Sequence, residues 1–191
     1  MRSYTTPSLH AIWFLVALNV LVFIVTMVRP DIVLFLGMTP ALFLRQPWTI
    51  VTSIFVHGSF NHILFNMISL FFLGSFLIRV VGERSFLWVY FLGGLAGNAL
   101  FMVLAHPAST GVGASGAIYA VGGTLAMMAP RLPVFVFPFP FPIPLWVALI
   151  AFLALSFIIP GIAWQAHVGG LLLGLIAGYL FKRKRGAYRR F

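Results

Sequence analysis

Six long apolar runs limit what this chain can fold into. They cover about residues 9–28, 60–80, 86–105, 113–129, 145–160 and 165–181. A helix needs about twenty apolar residues to cross the hydrocarbon core of a bilayer. The first three runs reach that length and the last three fall a little short, which is typical of helices that pack against protein rather than lipid. The pattern predicts an all-α fold, a polytopic membrane bundle of six transmembrane helices.

The composition of the chain does not predict a separate soluble domain. Of the 191 residues, 62% are hydrophobic and 7% are charged, whereas about a quarter of the residues of a soluble domain are charged. Only Arg2 carries a charge before the first run, and no small-residue cleavage site follows it, so we expect no removable signal peptide. The chain is therefore predicted to form one transmembrane domain over residues 1–191.

The distribution of basic residues predicts the orientation of this domain. Six spans place both termini on one side, and the more basic side of a membrane protein is cytoplasmic. With the termini inside, ten basic residues are cytoplasmic and two, Arg29 and Arg45, lie outside. We therefore expect an integral, multi-pass protein of the cell membrane with both termini in the cytoplasm. The ten inside residues are Arg2, Arg79, Arg84, Arg131, Lys182, Arg183, Lys184, Arg185, Arg189 and Arg190.

The net charge of +10 does not indicate a nucleic-acid partner. Six of the twelve basic residues form a tail at 182–191, directly after the last apolar run. Such a cluster marks a cytoplasmic flank and contacts anionic lipid headgroups. We expect membrane lipid as a partner, and neither nucleic acid nor a nucleotide.

Two further segments are interrupted by proline and are not predicted to span. Residues 29–59 are apolar but contain Pro40, Arg45 and Pro47, and they are predicted to form a long outer loop lying partly in the interface. Prolines also crowd segment 130–144, where each one removes a backbone donor and fixes φ. We expect an extended, polyproline-like connector there. Its prolines are Pro133, Pro138, Pro140, Pro142 and Pro144.

Polar residues lie near the starts of the second, fourth and sixth runs. His62 and Asn66 belong to the second, Ser115 to the fourth and His167 to the sixth. These three spans all run from outside to inside in the predicted topology, so the four side chains share one depth below the outer surface. Polar groups buried in lipid are costly unless paired, and ionisable ones are functional candidates. A serine and a histidine at one depth suggest a nucleophile with its base.

The residues around Ser115 suit this chemistry. Glycines at 111, 113 and 116 bring the serine to a predicted helix N-terminus, where free N–H groups and the helix dipole stabilise an oxyanion. Ser and Gly are also common in helix interfaces, and His167 by itself fits a hydrogen-bonded core histidine. Tyr119 lies one turn after Ser115 on the same face and could pack against the imidazole, or be an ordinary core tyrosine.

His62 and Asn66 are also one turn apart and both donate hydrogen bonds, as an oxyanion hole requires. An interhelical polar clamp is the alternative.

The only acids, Asp31 and Glu83, lie in the outer loop and at the inner end of the second span. A Ser-His-Asp triad is thus not available, and a nucleophile would work in a dyad. With no cysteine, no zinc signature and no Walker loop, we expect no metal and no cofactor.

Glycines at helical spacing predict close helix packing. The sixth run has Gly170, Gly174 and Gly178, and the third has Gly93 and Gly97. Small residues four apart let helix backbones approach closely in lipid. We expect the sixth span to pack against the fourth through this row and so to set the distance from His167 to Ser115.

Together these residues resemble the rhomboid family of intramembrane serine proteases, over essentially the whole chain and in its six-span, prokaryotic-type minimal form. The family's H-x4-H-x3-N motif appears at His57, His62 and Asn66. Its G-x-S-G motif covers Gly113, Ser115 and Gly116. Its A-H-x-x-G-x-x-x-G motif begins at Ala166 and His167. One departure is Trp48-Thr49, where the family often has Trp-Arg in the outer loop.

The resemblance implies a role for each of these positions. Ser115 would be the nucleophile and His167 its general base. The oxyanion hole would comprise His62, Asn66 and the Ser115 N–H group. Tyr119 matches the residue that stacks on the catalytic histidine, and His57 matches a structural histidine nearby.

The predicted function is therefore that of a serine endopeptidase that cleaves transmembrane segments of single-span membrane proteins with a Ser-His dyad. One alternative is a catalytically silent rhomboid-like protein that binds membrane proteins without cutting them. Such relatives typically lack the serine or the histidine, and both are present here. A second alternative is a small transporter lined by His57, His62 and His167. Such a protein would require intramembrane carboxylates or inverted repeats, and the sequence shows neither.

Overall fold

The computed structural model describes residues 9–136 and 140–188, with side chains up to residue 184. Predictions that concern Arg2, Pro138 and the side chains of Arg185, Arg189 and Arg190 therefore lie outside the described residues. Within the described ranges the chain is a helical bundle with one two-residue strand pair. The predicted fold class, an all-α polytopic membrane bundle, is confirmed.

The long helices follow the apolar runs. They are α1 (His10–Val28), α4 (Phe60–Ser69), α5 (Ser75–Val81), α6 (Glu83–Leu104), α7 (Ser115–Met128), α8 (Leu145–Ile158) and α9 (Trp164–Tyr188), with α2 (Ile32–Leu36) and α3 (Thr49–Thr52) in the outer loop. A π-helical turn over Leu70–Gly74 joins α4 to α5, so the second run is one continuous helix over Phe60–Val81.

Helix length separates two groups among the described residues. His10–Val28, Phe60–Val81, Glu83–Leu104 and Trp164–Lys184 are long and apolar enough to cross a membrane, whereas α7 and α8 have 14 residues each. The prediction that the sixth span is short is wrong, because α9 continues through the basic residues to Tyr188. Leucine, phenylalanine and tryptophan side chains are widely exposed on the bundle, as a lipid-facing surface requires.

Protein surrounds α7 on nearly every side. Its residues from Gly116 to Ala126 are all buried, so the explanation of a short span by protein packing holds for this helix. It fails for α8, in which only Leu145, Ala148, Leu149 and Ser156 are buried. The short α8 therefore lies at the edge of the bundle, whereas α7 is its centre.

α9 packs against α7 with almost no side chain between the two backbones. A Cβ atom added to any glycine of the row on α9 would collide with a carbonyl oxygen of α7. The glycines are Gly170, Gly174 and Gly178, and the oxygens belong to Gly116, Ala120 and Thr124. The Thr124 hydroxyl also donates a hydrogen bond to the Gly174 carbonyl, 3.0 Å away. Such contact is open to glycine alone, because it has no Cβ.

α6 closes the other side of this pair in the same way. A Cβ on Gly97 would lie 2.6 Å from the Ala166 carbonyl oxygen, and one on Gly169 would lie 2.5 Å from the Ala96 oxygen. One on Gly93 would collide with the methyl group of Ala120. Three backbones thus meet near the start of α9, where His167 lies.

The outer loop is held by local side-chain bonds without the family's arginine. Trp48 donates from Nε1 to the Phe35 carbonyl at 2.8 Å, and the Thr52 hydroxyl donates to the Leu36 carbonyl at 2.7 Å. Thr49, which stands where the family often has arginine, is buried, and its hydroxyl donates to the Gln46 carbonyl at 2.7 Å. The Trp48 and Thr52 bonds tie α3 to the end of α2.

The proline-rich connector contains more structure than the sequence predicts. Pro133–Val134 (β1) pairs antiparallel with Ile143–Pro144 (β2), Pro133 opposite Pro144. Proline is tolerated at such sheet edges, because it lacks only a donor. The described part of the connector is therefore a short ribbon rather than a polyproline helix.

Candidate active site

The backbone before α7 holds Ser115 at the helix N-terminus. Met38 and Gly111 exchange two hydrogen bonds, of 2.9 and 2.8 Å, and the Gly113 N–H group donates to the Ser53 carbonyl at 2.9 Å. Gly113 has φ +120°, a value that side-chain-bearing residues rarely adopt. Ser115 is then the first residue of α7, where backbone N–H groups have no acceptor within the helix. These bonds fix the backbone that leads into α7 and so the position of Ser115 at its first turn.

His167 lies beside Ser115 in the first turns of α9. Its Nε2 atom is 2.8 Å from the Ser115 Oγ, a hydrogen-bonding distance. His167 is 8% exposed, and its Nδ1 atom is buried with no hydrogen-bond partner among the described residues. For the serine hydroxyl to donate to Nε2, the proton of a neutral imidazole must be on Nδ1. The two side chains are thus in position for proton transfer.

Tyr119 stacks on the imidazole of His167. The ring centroids are 4.4 Å apart and the planes are inclined by 22°. Tyr119 is one turn after Ser115 on α7, so one helix carries both groups that contact His167. The phenol ring covers a face of the imidazole and restricts its rotation.

We expect Tyr119→Ala to lower kcat by about 10–100-fold and Tyr119→Phe to stay within about threefold of the parent. The aromatic contact alone is worth about 0.5–1.5 kcal/mol, and a misplaced base adds to its loss. Phenylalanine keeps the stack and removes only the hydroxyl. The measurement is turnover of a single-span substrate by both variants in one detergent. Equal turnover by the alanine variant and the parent would mean that stacking does not position His167.

His62 and His57 enclose the backbone before the serine. A Cβ on Gly113 would lie 2.6 Å from the His62 Nε2 atom, so the imidazole lies directly against this glycine. The rings of His57 and His62 meet edge to face at 4.9 Å. Burial, with His62 nearby, lowers the pKa of His57 to about 3, so His57 is neutral at pH 7. Its Nε2 then accepts from the Ala114 N–H group at 3.5 Å.

Asn66 is buried one turn below His62 on α4. Its Nδ2 donates to the His62 carbonyl at 2.8 Å, which holds the amide along the helix. The N-cap of the same helix is Ser59, whose hydroxyl accepts from the His62 N–H at 3.2 Å. Asn66 thus has a fixed conformation, with one of its two amide hydrogens in use.

Sequence reasoning missed a second polar pair that supports this backbone. Asn98 of α6 donates from Nδ2 to the Ser53 Oγ at 2.8 Å and to the Ile50 carbonyl at 2.7 Å. Ser53 in turn accepts from Gly113 through its carbonyl. Asn98 therefore holds residues 50–53, to which the backbone before Ser115 is hydrogen-bonded. The signal was available, since Asn98 is a polar residue inside a predicted span.

Both carboxylates of the chain are engaged away from Ser115 and His167. Asp31 pairs with Arg29 at 2.9 Å on the exposed outer loop, and this partner lowers the pKa of the Asp31 carboxyl. Glu83 accepts from the Ala11 N–H group at 2.6 Å at the other end of the bundle. Neither acid therefore orients His167, whose described contacts include the stacked ring of Tyr119 and the Ser115 hydroxyl.

Comparison with known proteins identifies relatives of this chain. A model described as the Rhomboid domain matches residues 44–184. The chain is 35% identical over 139 residues to the "Putative rhomboid protease YdcA" of Bacillus subtilis, covering 72% of this chain and 69% of that protein. It is 30% identical to the "Rhomboid protease GluP" of the same organism, covering 68% of this chain and 25% of that protein. "Rhomboid protein 1, mitochondrial" of Saccharomyces cerevisiae is 28% identical, with 71% and 42% covered.

Proposed function

Since the chain belongs to the rhomboid family, we propose that it is an intramembrane serine endopeptidase with Ser115 and His167 as its catalytic dyad. The observation that carries the proposal is the 2.8 Å separation between His167 Nε2 and Ser115 Oγ. Support also comes from the two Bacillus subtilis relatives that are named as proteases, of whose length the chain spans 69% and 25%. The activity, substrates and location of the whole protein are part of the proposal.

The first chemical step forms an acyl-enzyme. The Ser115 Oγ attacks the scissile carbonyl carbon while its proton passes to His167 Nε2. The carbonyl oxygen becomes an oxyanion, which accepts hydrogen bonds from the Ser115 N–H group and the side chains of His62 and Asn66. When the C–N bond breaks, the imidazolium returns the proton to the leaving amine.

The second step releases the acyl group. Water from the outer face gives a proton to His167 and attacks the ester carbonyl, and the Ser115 oxygen leaves and is reprotonated. Each proton that arrives at Nε2 therefore departs from it. The stacked ring of Tyr119 keeps Nε2 directed at Oγ through both steps.

The substrates follow from the depth of the site. Ser115 and His167 begin their helices, so both lie near one end of the bundle. A transmembrane helix hides its peptide bonds in hydrogen bonds, so a substrate must unwind locally before Oγ can reach a carbonyl. Single-span proteins with small residues at the cut and helix-breaking residues nearby meet that requirement. The proposed location is the cell membrane, with both termini in the cytoplasm.

A serine-reactive fluorophosphonate tests the proposal directly. The purified protein is labelled in detergent, digested, and the adduct is mapped by mass spectrometry. We expect one adduct, on Ser115, absent after heat denaturation and in the His167→Ala variant. Cleavage of a substrate by a protein whose adduct maps to another serine would contradict the dyad.

Asn66→Ala should reduce kcat by about 10²–10³-fold, about 2.7–4 kcal/mol, with little change in substrate affinity. Loss of one oxyanion donor affects the transition state and leaves the ground state intact. Asn19→Ala in α1 is a matched control, because Asn19 is also buried and donates to the carbonyl four residues earlier, at 2.7 Å. Both variants lose a side-chain hydrogen bond to the carbonyl four residues earlier. If the two variants had the same kcat, the role of Asn66 would be structural only.

A further inference from the structure

A groove between α6 and α9 opens on the lipid-facing surface. It lies near the start of α6 and the end of α9, at the opposite end of the bundle from Ser115. Its walls include Trp88 and Leu92 on α6 and Ile176 and Leu180 on α9, and its volume is about 610 Å³. These four side chains are 44–62% exposed, so no other described helix covers them. We call this feature, with the basic residues at its end, the α6–α9 groove.

The dimensions of the groove match one leaflet of a bilayer. On α9 its lining extends from Leu173 to Lys184. A helix rises about 1.5 Å per residue, so this stretch is about 16 Å long, near half of the ~30 Å hydrocarbon core. Trp88, close to the start of α6, lies towards the end where tryptophan is favoured at a membrane interface. The walls thus fit a lipid acyl chain that lies along α9.

The polar end of the groove is cationic. Arg183 and Lys184 complete its lining. Neither acid forms an ion pair with them in the part of the chain that the structure describes: Asp31 pairs with Arg29, and Glu83 accepts a hydrogen bond from the Ala11 N–H group. Basic residues that border an apolar groove at the membrane surface match a ligand with an anionic head and an apolar tail.

We propose that the α6–α9 groove binds an anionic phospholipid, with an acyl chain between Trp88 and Leu180 and the phosphate group at Arg183 and Lys184. A second copy of the chain in this place would be disfavoured. Two copies related by an axis along the membrane normal would bring two pairs of positive charges together. A zwitterionic lipid has no net charge, so it would not neutralise Arg183 and Lys184. The proposal is independent of the proteolytic chemistry.

Quenching of tryptophan fluorescence measures occupancy of the groove. The full chain is reconstituted in phosphatidylcholine vesicles with increasing phosphatidylglycerol that carries brominated acyl chains. The signal of Trp88 is obtained by difference from Trp88→Phe, because four other tryptophans emit. We expect Trp88 to be quenched at lower mole fractions of brominated phosphatidylglycerol than of brominated phosphatidylcholine.

Charge variants show whether the basic end selects the lipid. Each basic side chain near the surface contributes about fivefold to binding of anionic lipid, so Arg183→Gln with Lys184→Gln should weaken the preference roughly 30-fold. Arg79→Gln with Arg84→Gln is the matched control, since it removes two exposed charges at the same end without touching the groove. That control should keep its preference within about threefold.

Three results would overturn the proposal. Equal quenching by both brominated lipids would mean ordinary contact with bulk lipid. Equal loss of preference in the two charge variants would mean a general surface potential rather than a site. Protection of Trp88 from both lipids, in a protein that migrates as a dimer, would mean that a second copy covers the groove.

Discussion

Ser115→Ala should lower the rate of substrate cleavage on the order of 10⁶-fold, to below detection, because no other group can replace the nucleophile. The chain has no cysteine, and Ser115 is the serine whose hydroxyl lies 2.8 Å from His167. Stability should change by about 1 kcal/mol, the net contribution of one hydrogen bond, since alanine is a good helix former at the start of α7. Cleavage of a fluorescent single-span substrate and thermal unfolding measure the two effects.

Ser156→Ala supplies the control for this substitution. Ser156 is a buried serine of α8 whose hydroxyl donates to the Leu153 carbonyl at 2.6 Å. The variant loses a hydrogen bond of a membrane helix but no catalytic group, so its activity should remain that of the parent.

The double variant Ser115→Ala/His167→Ala tests whether the two residues act as a unit. Members of one catalytic unit are not additive, so its residual rate should equal that of either single variant. A further large drop would show that His167 works through another nucleophile.

Gly170→Val should lower both activity and stability, because a side chain at this position has no space. Even the Cβ of alanine would collide with the Gly116 carbonyl oxygen. Gly116 follows Ser115 directly, so any shift of α9 away from α7 changes the distance from His167 to the nucleophile. Overpacking costs about 1–3 kcal/mol, and a displacement of about 1 Å can cost 10²-fold in rate. We expect losses of that size in thermal unfolding and in kcat.

Two related variants separate packing from helix propensity. Gly170→Ala should lie between the parent and the valine variant, although alanine raises intrinsic helix stability by about 1 kcal/mol. Leu172→Val introduces the same β-branched side chain at a position 54% exposed on α9, where little should change. Wild-type activity and stability in Gly170→Val would show that α9 does not depend on this face.

The elements that the sequence predicts best are those governed by the bilayer. Long apolar runs must be helical, so α1, α6 and the continuous helix over Phe60–Val81 follow the predicted spans closely. The sequence is less informative where protein replaces lipid. It does not show that α9 extends to Tyr188, nor that α7 is enclosed whereas α8 is exposed, because an apolar run is compatible with both lipid and protein neighbours.

The residues of the candidate site were also predicted only in part. Motif spacing and a shared depth identify Ser115, His167, His62 and Asn66 as candidates, since polar groups in lipid are rare enough to attract notice. Their catalytic roles remain predictions for the variants above. The supporting contacts from Asn98 and Ser53 follow no local pattern, because they join residues 45 apart in the chain.

The sequence by itself therefore determined that this protein folds in a lipid bilayer and that its fold is helical, because long apolar runs are read directly from the sequence. It also showed that the chain has only two acidic side chains for any site to use. The distances were decided by the tertiary structure alone. The glycines of α9 permit close contact but do not name a partner, and only the folded bundle places them on the Gly116 and Ala120 carbonyls. Packing of these backbones, rather than any motif, sets His167 at 2.8 Å from Ser115.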